Sequence, residues 1–131
     1  MTHEMTPAVT PDWILQIMRE IDSLEFGAGF GHMTEDTEMF FGTEHVRGVE
    51  AIKAFFVKID EPLNVTHEVL EFWTADEVRL LRGEAAMARK TEPQRVVRAP
   101  FIHIYYVDDT EPPRIRTLRV TAGPLETDAV L

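Results

Sequence analysis

The side chains with the clearest chemical potential in this chain lie on one short apolar stretch. In PFIHIYY, residues 100–106, His103 sits two positions from both Phe101 and Tyr105. In an extended backbone these three side chains share one face, and Ile102, Ile104 and Tyr106 share the other. Both faces are apolar, so both should be covered. An imidazole with an ordinary pKa of about 6.5 can give or take a proton near neutral pH. The Tyr105 phenol can donate a hydrogen bond. VRLLRGEAAM, residues 78–87, adds Arg82 and Glu84. The opposing reading is that His103 is a buried, hydrogen-bonded core residue and that Arg82 and Glu84 form a surface ion pair.

Other chemistries lack their residues. There is no cysteine, so thiolate catalysis, disulfides and cysteine zinc sites are excluded. His32, His45 and His67 show no metal-ligand spacing, and no metal or cofactor is expected. His67, in VTHEVL, reads as a hydrogen-bonded strand residue. Ser23, the only serine, ends a helical pattern without a nucleophile elbow. FGAGFGHM, residues 26–33, has glycines at alternate positions but no preceding strand and no following Lys-Ser/Thr. It reads as a connector or weak helix rather than a phosphate loop. Asp108, Asp109 and Glu111 before two prolines form a solvated turn, not a calcium loop.

The totals narrow the class. A chain of 131 residues suits one domain. With a formal net charge of −10 and 13 Lys and Arg, it offers no basic face for nucleic acid. No apolar run reaches the ~18 residues of a membrane span. The opening residues lack the basic and apolar regions of a signal peptide, and a cytoplasmic location is expected.

These residues must be positioned by helices that come first and strands that follow. Residues 1–9 read as a flexible lead-in. Thr10 can cap a helix beginning at Pro11, with Trp13, Ile14, Ile17, Met18, Ile21 and Leu24 at helical spacing. DTEMFFG, 36–42, reads as a short strand. A second helix over 48–60 carries Val49, Ile52, Phe55, Phe56 and Ile59 on one face. Strands are predicted over 64–74, 78–91, 96–108 and 114–122, with a bend at Gly83 and a bulge or unpaired position at Pro100. The tail after Gly123 reads as loose. Short turns between consecutive strands imply an antiparallel meander, and the order as a whole implies an α+β fold.

The stretches TEDTEMFFG…VRGVEAIKAFF, THEVLEFWTADEVRLLRGEA and APFIHIYYVDDTEPPRIRTLRV resemble the SnoaL-like branch of the nuclear-transport-factor-like superfamily over residues 11–122. That group includes ketosteroid isomerases and polyketide cyclases. The resemblance implies a curled antiparallel sheet wrapped around the helices, cone-shaped, with an internal pocket and a homodimer through the outer sheet face. It places Phe41 where ketosteroid isomerases carry their aspartate base, Ile17 where they carry a tyrosine, and His103 where they carry the oxyanion acid. Ketosteroid isomerase chemistry is thereby disfavoured.

With the strands oriented this way and His103 inward, counting sends Phe101, Tyr105, Leu80, Arg82, Glu84, Arg116, Leu118 and Val120 inward too. Trp13, Ile17, Phe41 and Phe55 complete the wall. The expected catalytic set is His103, Glu84 and Tyr105. The ligand-binding set is Trp13, Ile17, Phe41, Phe55, Leu80, Arg82, Phe101 and Leu118. The function that follows is a cofactor-independent isomerase or cyclase acting on a hydrophobic small molecule. The alternatives are a non-catalytic binding protein or a dimeric interaction module.

Overall fold

A computed structural model describes residues 4–123; the tail expected to be loose lies outside the described residues. The chain runs β1 (Thr6–Pro7), α1 (Asp12–Ser23), β2 (Glu38–Phe41), β3 (Glu44–Arg47), α2 (Val49–Asp60), β4 (Leu63–Ala75), β5 (Val78–Arg89), β6 (Val97–Asp108) and β7 (Arg114–Ala122). The strands form one open sheet in the order β1-β4-β5-β6-β7-β2-β3. Strands β4 to β7 are the antiparallel meander expected from their short turns. The sheet is nevertheless mixed, because β2 lies parallel to β7. Two strands were not anticipated. Residues 44–47 fold back on β2, and Thr6 and Pro7, expected to be a flexible lead-in, pair with Thr74 and Trp73.

Helix α1 buries Ile14, Ile17, Met18 and Ile21, the stripe its spacing predicts. Pro11, rather than Thr10, is its N-cap, with no side-chain cap bond. Helix α2 buries Ile52 and Phe56. Both stripes pack on the inward residues of the sheet in one continuous core.

The alternating glycines of 26–33 do cradle an anion, but it belongs to the chain itself. Glu20, buried on α1, accepts the backbone N–H groups of Gly27, Gly29 and Phe30 at 2.8, 2.8 and 3.0 Å. Burial alone would raise the Glu20 carboxyl. These bonds, with the one from Gln16, outweigh it and hold the pKa below the usual carboxylate value.

Register decides which side chains face the core. Leu81, Gly83 and Ala85 stand opposite His103, Phe101 and Ala99, and all but Gly83 are buried apolar residues or the buried His103 itself. Leu80, Arg82 and Glu84 stand opposite Ile104, Ile102 and Pro100 on the other face. Their expected inward placement is therefore corrected, because pairing partners share a face and one position of slip inverts a whole strand. The irregularities lie away from the predicted ones, at Val69/Glu71 in β4 and at Tyr106/Val107 in β6. The second leaves Arg116 exposed instead of inward.

Candidate functional site

The inner face holds a small cavity of about 70 Å³. Ile21, Phe41, Phe56, Phe101 and Val120 form its apolar wall, and its polar groups are His67, His103 and Asp60. Three elements deliver those groups: β4 carries His67, β6 carries His103, and Asp60 ends α2.

His67 is the most tightly organised of them. Its Nδ1 lies 2.5 Å from Asp22 Oδ1, and its backbone N–H donates to Asp22 Oδ2 at 3.2 Å. The second bond exists because β1 covers β4 only at Trp73 and Thr74, leaving the rest of that edge open to the last turn of α1. Asp22 thus fixes ring orientation and tautomer, with Nδ1–H donated to the carboxylate and Nε2 left as an acceptor. The ring stands edge-on to Phe101, centroids 4.9 Å apart, and 6.3 Å from the ring of His103.

His103 does point inward and is 2% exposed. Its Nδ1 lies 3.2 Å from the Tyr105 hydroxyl, which also approaches Met18 Sδ at 3.8 Å. An imidazole nitrogen is a better acceptor than a thioether, so the phenol donates to Nδ1 and His103 keeps its proton on Nε2. No sealed side-chain nitrogen or oxygen among the described residues lacks a partner, and Nε2 has none among them; this atom therefore borders the cavity that His103 lines. Burial, reinforced by His67, lowers the His103 pKa to about 3. The ring is a neutral hydrogen-bond donor at working pH, not a proton acceptor. Burial pushes the Tyr105 phenol well above its usual value, so it stays protonated.

The Asp60 carboxyl makes no hydrogen bond with another described residue. Burial lifts its carboxyl to about 6; His67 opposes the shift and Asp22 adds to it. A carboxyl at that value exchanges a proton readily near neutrality.

Of the residues anticipated from the sequence, Phe41, Phe101 and His103 line the cavity, and Tyr105 stands one hydrogen bond behind it. Trp13, Ile17, Phe55 and Leu118 do not. Ile17 and Leu118 are fully buried in the packed part of the core, Trp13 lies against His32, and Phe55 backs Phe41 at 5.2 Å. Ile21, Phe56 and Val120 take their places on the wall. Glu84 is bonded to Arg98 at 3.2 Å and Arg82 to Glu71 at 2.7 Å, all on the outer face with Leu80. The orienting carboxylate expected of Glu84 is supplied by Asp22, and to His67 rather than to His103.

Asp22 and Asp60 went unread, although both break an apolar pattern. Each occupies the next i+4 position of a buried stripe, after Ile14 and Met18 in one helix and after Ile52 and Phe56 in the other.

No protein-family model and no curated protein matches the chain. Its structure is similar to that of a protein from Jannaschia sp. CCS1 classed with the SnoaL-like polyketide cyclases. The TM-score is 0.73 at 15% identity, covering 91% of this chain and 86% of that one. It is similar to an LEH-like epoxide hydrolase from M. tuberculosis, with TM-score 0.68 and 12% identity over 86% of this chain and 80% of that one. A protein of ketosteroid isomerase-like fold from Catenulispora acidiphila DSM 44928, in complex with trimethylamine, aligns with TM-score 0.73 and 13% identity over 86% of both chains. At such identities the likeness is one of fold. The chain has the α+β cone of the nuclear-transport-factor-like superfamily, the fold that SnoaL-like and ketosteroid-isomerase-like proteins share.

Proposed function

We propose that this protein is a cofactor-independent acid/base catalyst, an isomerase or cyclase, that moves a proton on a hydrophobic small molecule held in the inner cavity. One juxtaposition carries the reading: a carboxylate-held imidazole, a neutral imidazole N–H and a carboxyl poised near neutrality border the same apolar space.

His67 Nε2 takes the proton from a carbon next to a carbonyl, which for isomerisation also adjoins a carbon–carbon double bond. The C–H electron pair moves into the carbonyl and onto its oxygen, and His103 Nε2–H donates to the enolate that forms. The Asp22 carboxylate, held on Nδ1, stabilises the resulting imidazolium. Return of that proton to a different carbon restores the carbonyl with the double bond shifted. Attack of the enolate carbon on a second carbonyl of the same molecule closes a ring instead, and its new alkoxide takes a proton from Asp60 or the imidazolium. The apolar wall keeps water away and strengthens each of these interactions. The phenyl group at position 41 cannot act as a base, so the proton route differs from that of ketosteroid isomerases.

In this reading the protein works in the cytoplasm as a homodimer. The outer sheet face supports the dimer: Leu80, Ile102, Ile104 and Tyr106 form an apolar strip there. The strip is bordered by Arg82–Glu71 and Arg98–Glu84, so both charge signs are available to a twofold-related copy.

Conversion of cyclohex-3-en-1-one to its conjugated isomer, followed by ultraviolet absorbance, tests the chemistry. Wild type should accelerate it, and His67→Gln or Asp22→Asn should each lower the rate by ~10²–10⁴-fold. Binding of the ketone with no acceleration would make the cavity a ligand-binding site only. Absence of both would remove the small-molecule reading.

A further inference from the structure

At about 70 Å³ the inner cavity is too small to enclose a whole drug-sized ligand, for which pockets run to roughly 300 Å³ or more. Any substrate larger than its reacting head must extend beyond it. Met87 lines both the cavity and an open groove of about 360 Å³, so this one flexible side chain borders the two spaces. Its floor is apolar, formed by Leu63, Ala88 and Val97. Its rim carries Arg89 and Arg95, at the two ends of the turn joining β5 to β6.

Three cations gather in this one turn of a chain whose net charge is −10. Arg47, Lys53, Arg82, Arg98, Arg114 and Arg116 are engaged by acids, and Arg19, Arg79 and Arg119 by Gln16, backbone carbonyls and the Phe40 ring. Arg89, Lys90 and Arg95 have no acidic partner among the described residues. Glu92 is the one acid lining the groove and offsets one charge, which leaves the turn net positive.

We propose that the substrate carries an anionic group, carboxylate or phosphate, which Arg89 and Arg95 hold at the groove rim while its reacting head occupies the inner cavity. This rests on the small-molecule reading above and names the substrate class for it. The planar guanidinium fork suits both oxyanions. The acidic remainder of the surface disfavours anions elsewhere, so this turn selects the orientation in which the head enters.

Calorimetric titration with octanoate, octyl phosphate and octan-1-ol, three probes sharing one apolar chain, tests it. Both anions should bind about two- to thirtyfold more tightly than the alcohol at low salt. The preference should vanish in the Arg89→Gln/Arg95→Gln protein, widen in Glu92→Gln, and persist in an Arg47→Gln control. A larger preference for the phosphate, or for the carboxylate, identifies which oxyanion the rim serves. Equal binding of alcohol and anions, or a preference that survives the double substitution, overturns the anionic tail and leaves the cavity reading standing. Failure of all three probes to bind overturns both.

Discussion

A half-buried carboxyl without a hydrogen-bond partner trades stability for reactivity, and Asp60 is in that position among the described residues. Its pKa in the folded protein is about 6, against a usual 3.8. The folded state therefore holds this proton more tightly than the unfolded chain does. That contribution to stability is complete below 3.8 and is lost as pH rises through about 6. At pH 8 the ionised group is a liability, on the order of 1 kcal/mol once its partial exposure is allowed for. Asp60→Asn should thus raise the urea midpoint relative to wild type at pH 8 and change it little at pH 4, while lowering isomerisation. An equal shift at both pH values would mean that Asp60 titrates normally. His103 follows the opposite logic for a base. Burial keeps it neutral, so the folded state refuses a proton that the unfolded chain accepts below pH 6.5, and stability declines as pH falls from there towards about 3.

At the scale of the elements, Gly83 is what allows the inner face to close as it does. A Cβ at this position would lie 2.0 Å from the Glu68 carbonyl oxygen and 2.7 Å from the Phe101 ring. The absence of a side chain lets Phe101 lie over β5, where its ring meets that of His67 nearly at right angles. Pairing with β6 runs in register through Gly83, while the neighbouring β4 carries an irregularity starting at Val69, the residue opposite Gly83. Gly83→Ala should destabilise the protein by about 1–3 kcal/mol in urea unfolding, because backbone or a packed ring must move. A variant with an unchanged midpoint would show that β4 and Phe101 yield freely. The connector after α1 is fixed by the same kind of close approach, with Gly29 against the helix backbone and Glu20 tying down the turn.

For the molecule as a whole, the open question is what covers the convex face of the sheet. Ile102 is 37% exposed in the isolated chain, at the centre of the apolar strip. A dimer through this face predicts that Ile102→Asp shifts sedimentation from dimer to monomer at micromolar concentration, with the fold retained by circular dichroism. A wild-type chain that sediments as a monomer would contradict it. No helix among the described residues is long and apolar enough to cross a membrane. Arg89, Lys90 and Arg95, which have no acidic partner among the described residues, gather in the β5–β6 turn, with Arg89 and Arg95 lining the open groove.

Local pattern was enough to specify both helices, the four-stranded meander and the α+β order. The helices depend on spacing along one segment, such as Ile14–Ile17–Met18–Ile21, and that periodicity records which side is buried. The direction of His103 is not in the local pattern, because both faces of its strand are apolar; the inward assignment comes with the resemblance. What local pattern does not contain is the phase of one strand against the next. Leu80, Arg82 and Glu84 alternate as regularly as Leu81, Gly83 and Ala85, and only pairing with β6 determines which set meets the core. The polar site is non-local in the same way. Asp22 and His67 are 45 residues apart, and their contact exists only because α1 crosses the uncovered edge of β4. Chain sequence thus supplied the acids, the imidazoles and their alternation, while tertiary packing chose which of them would share a cavity.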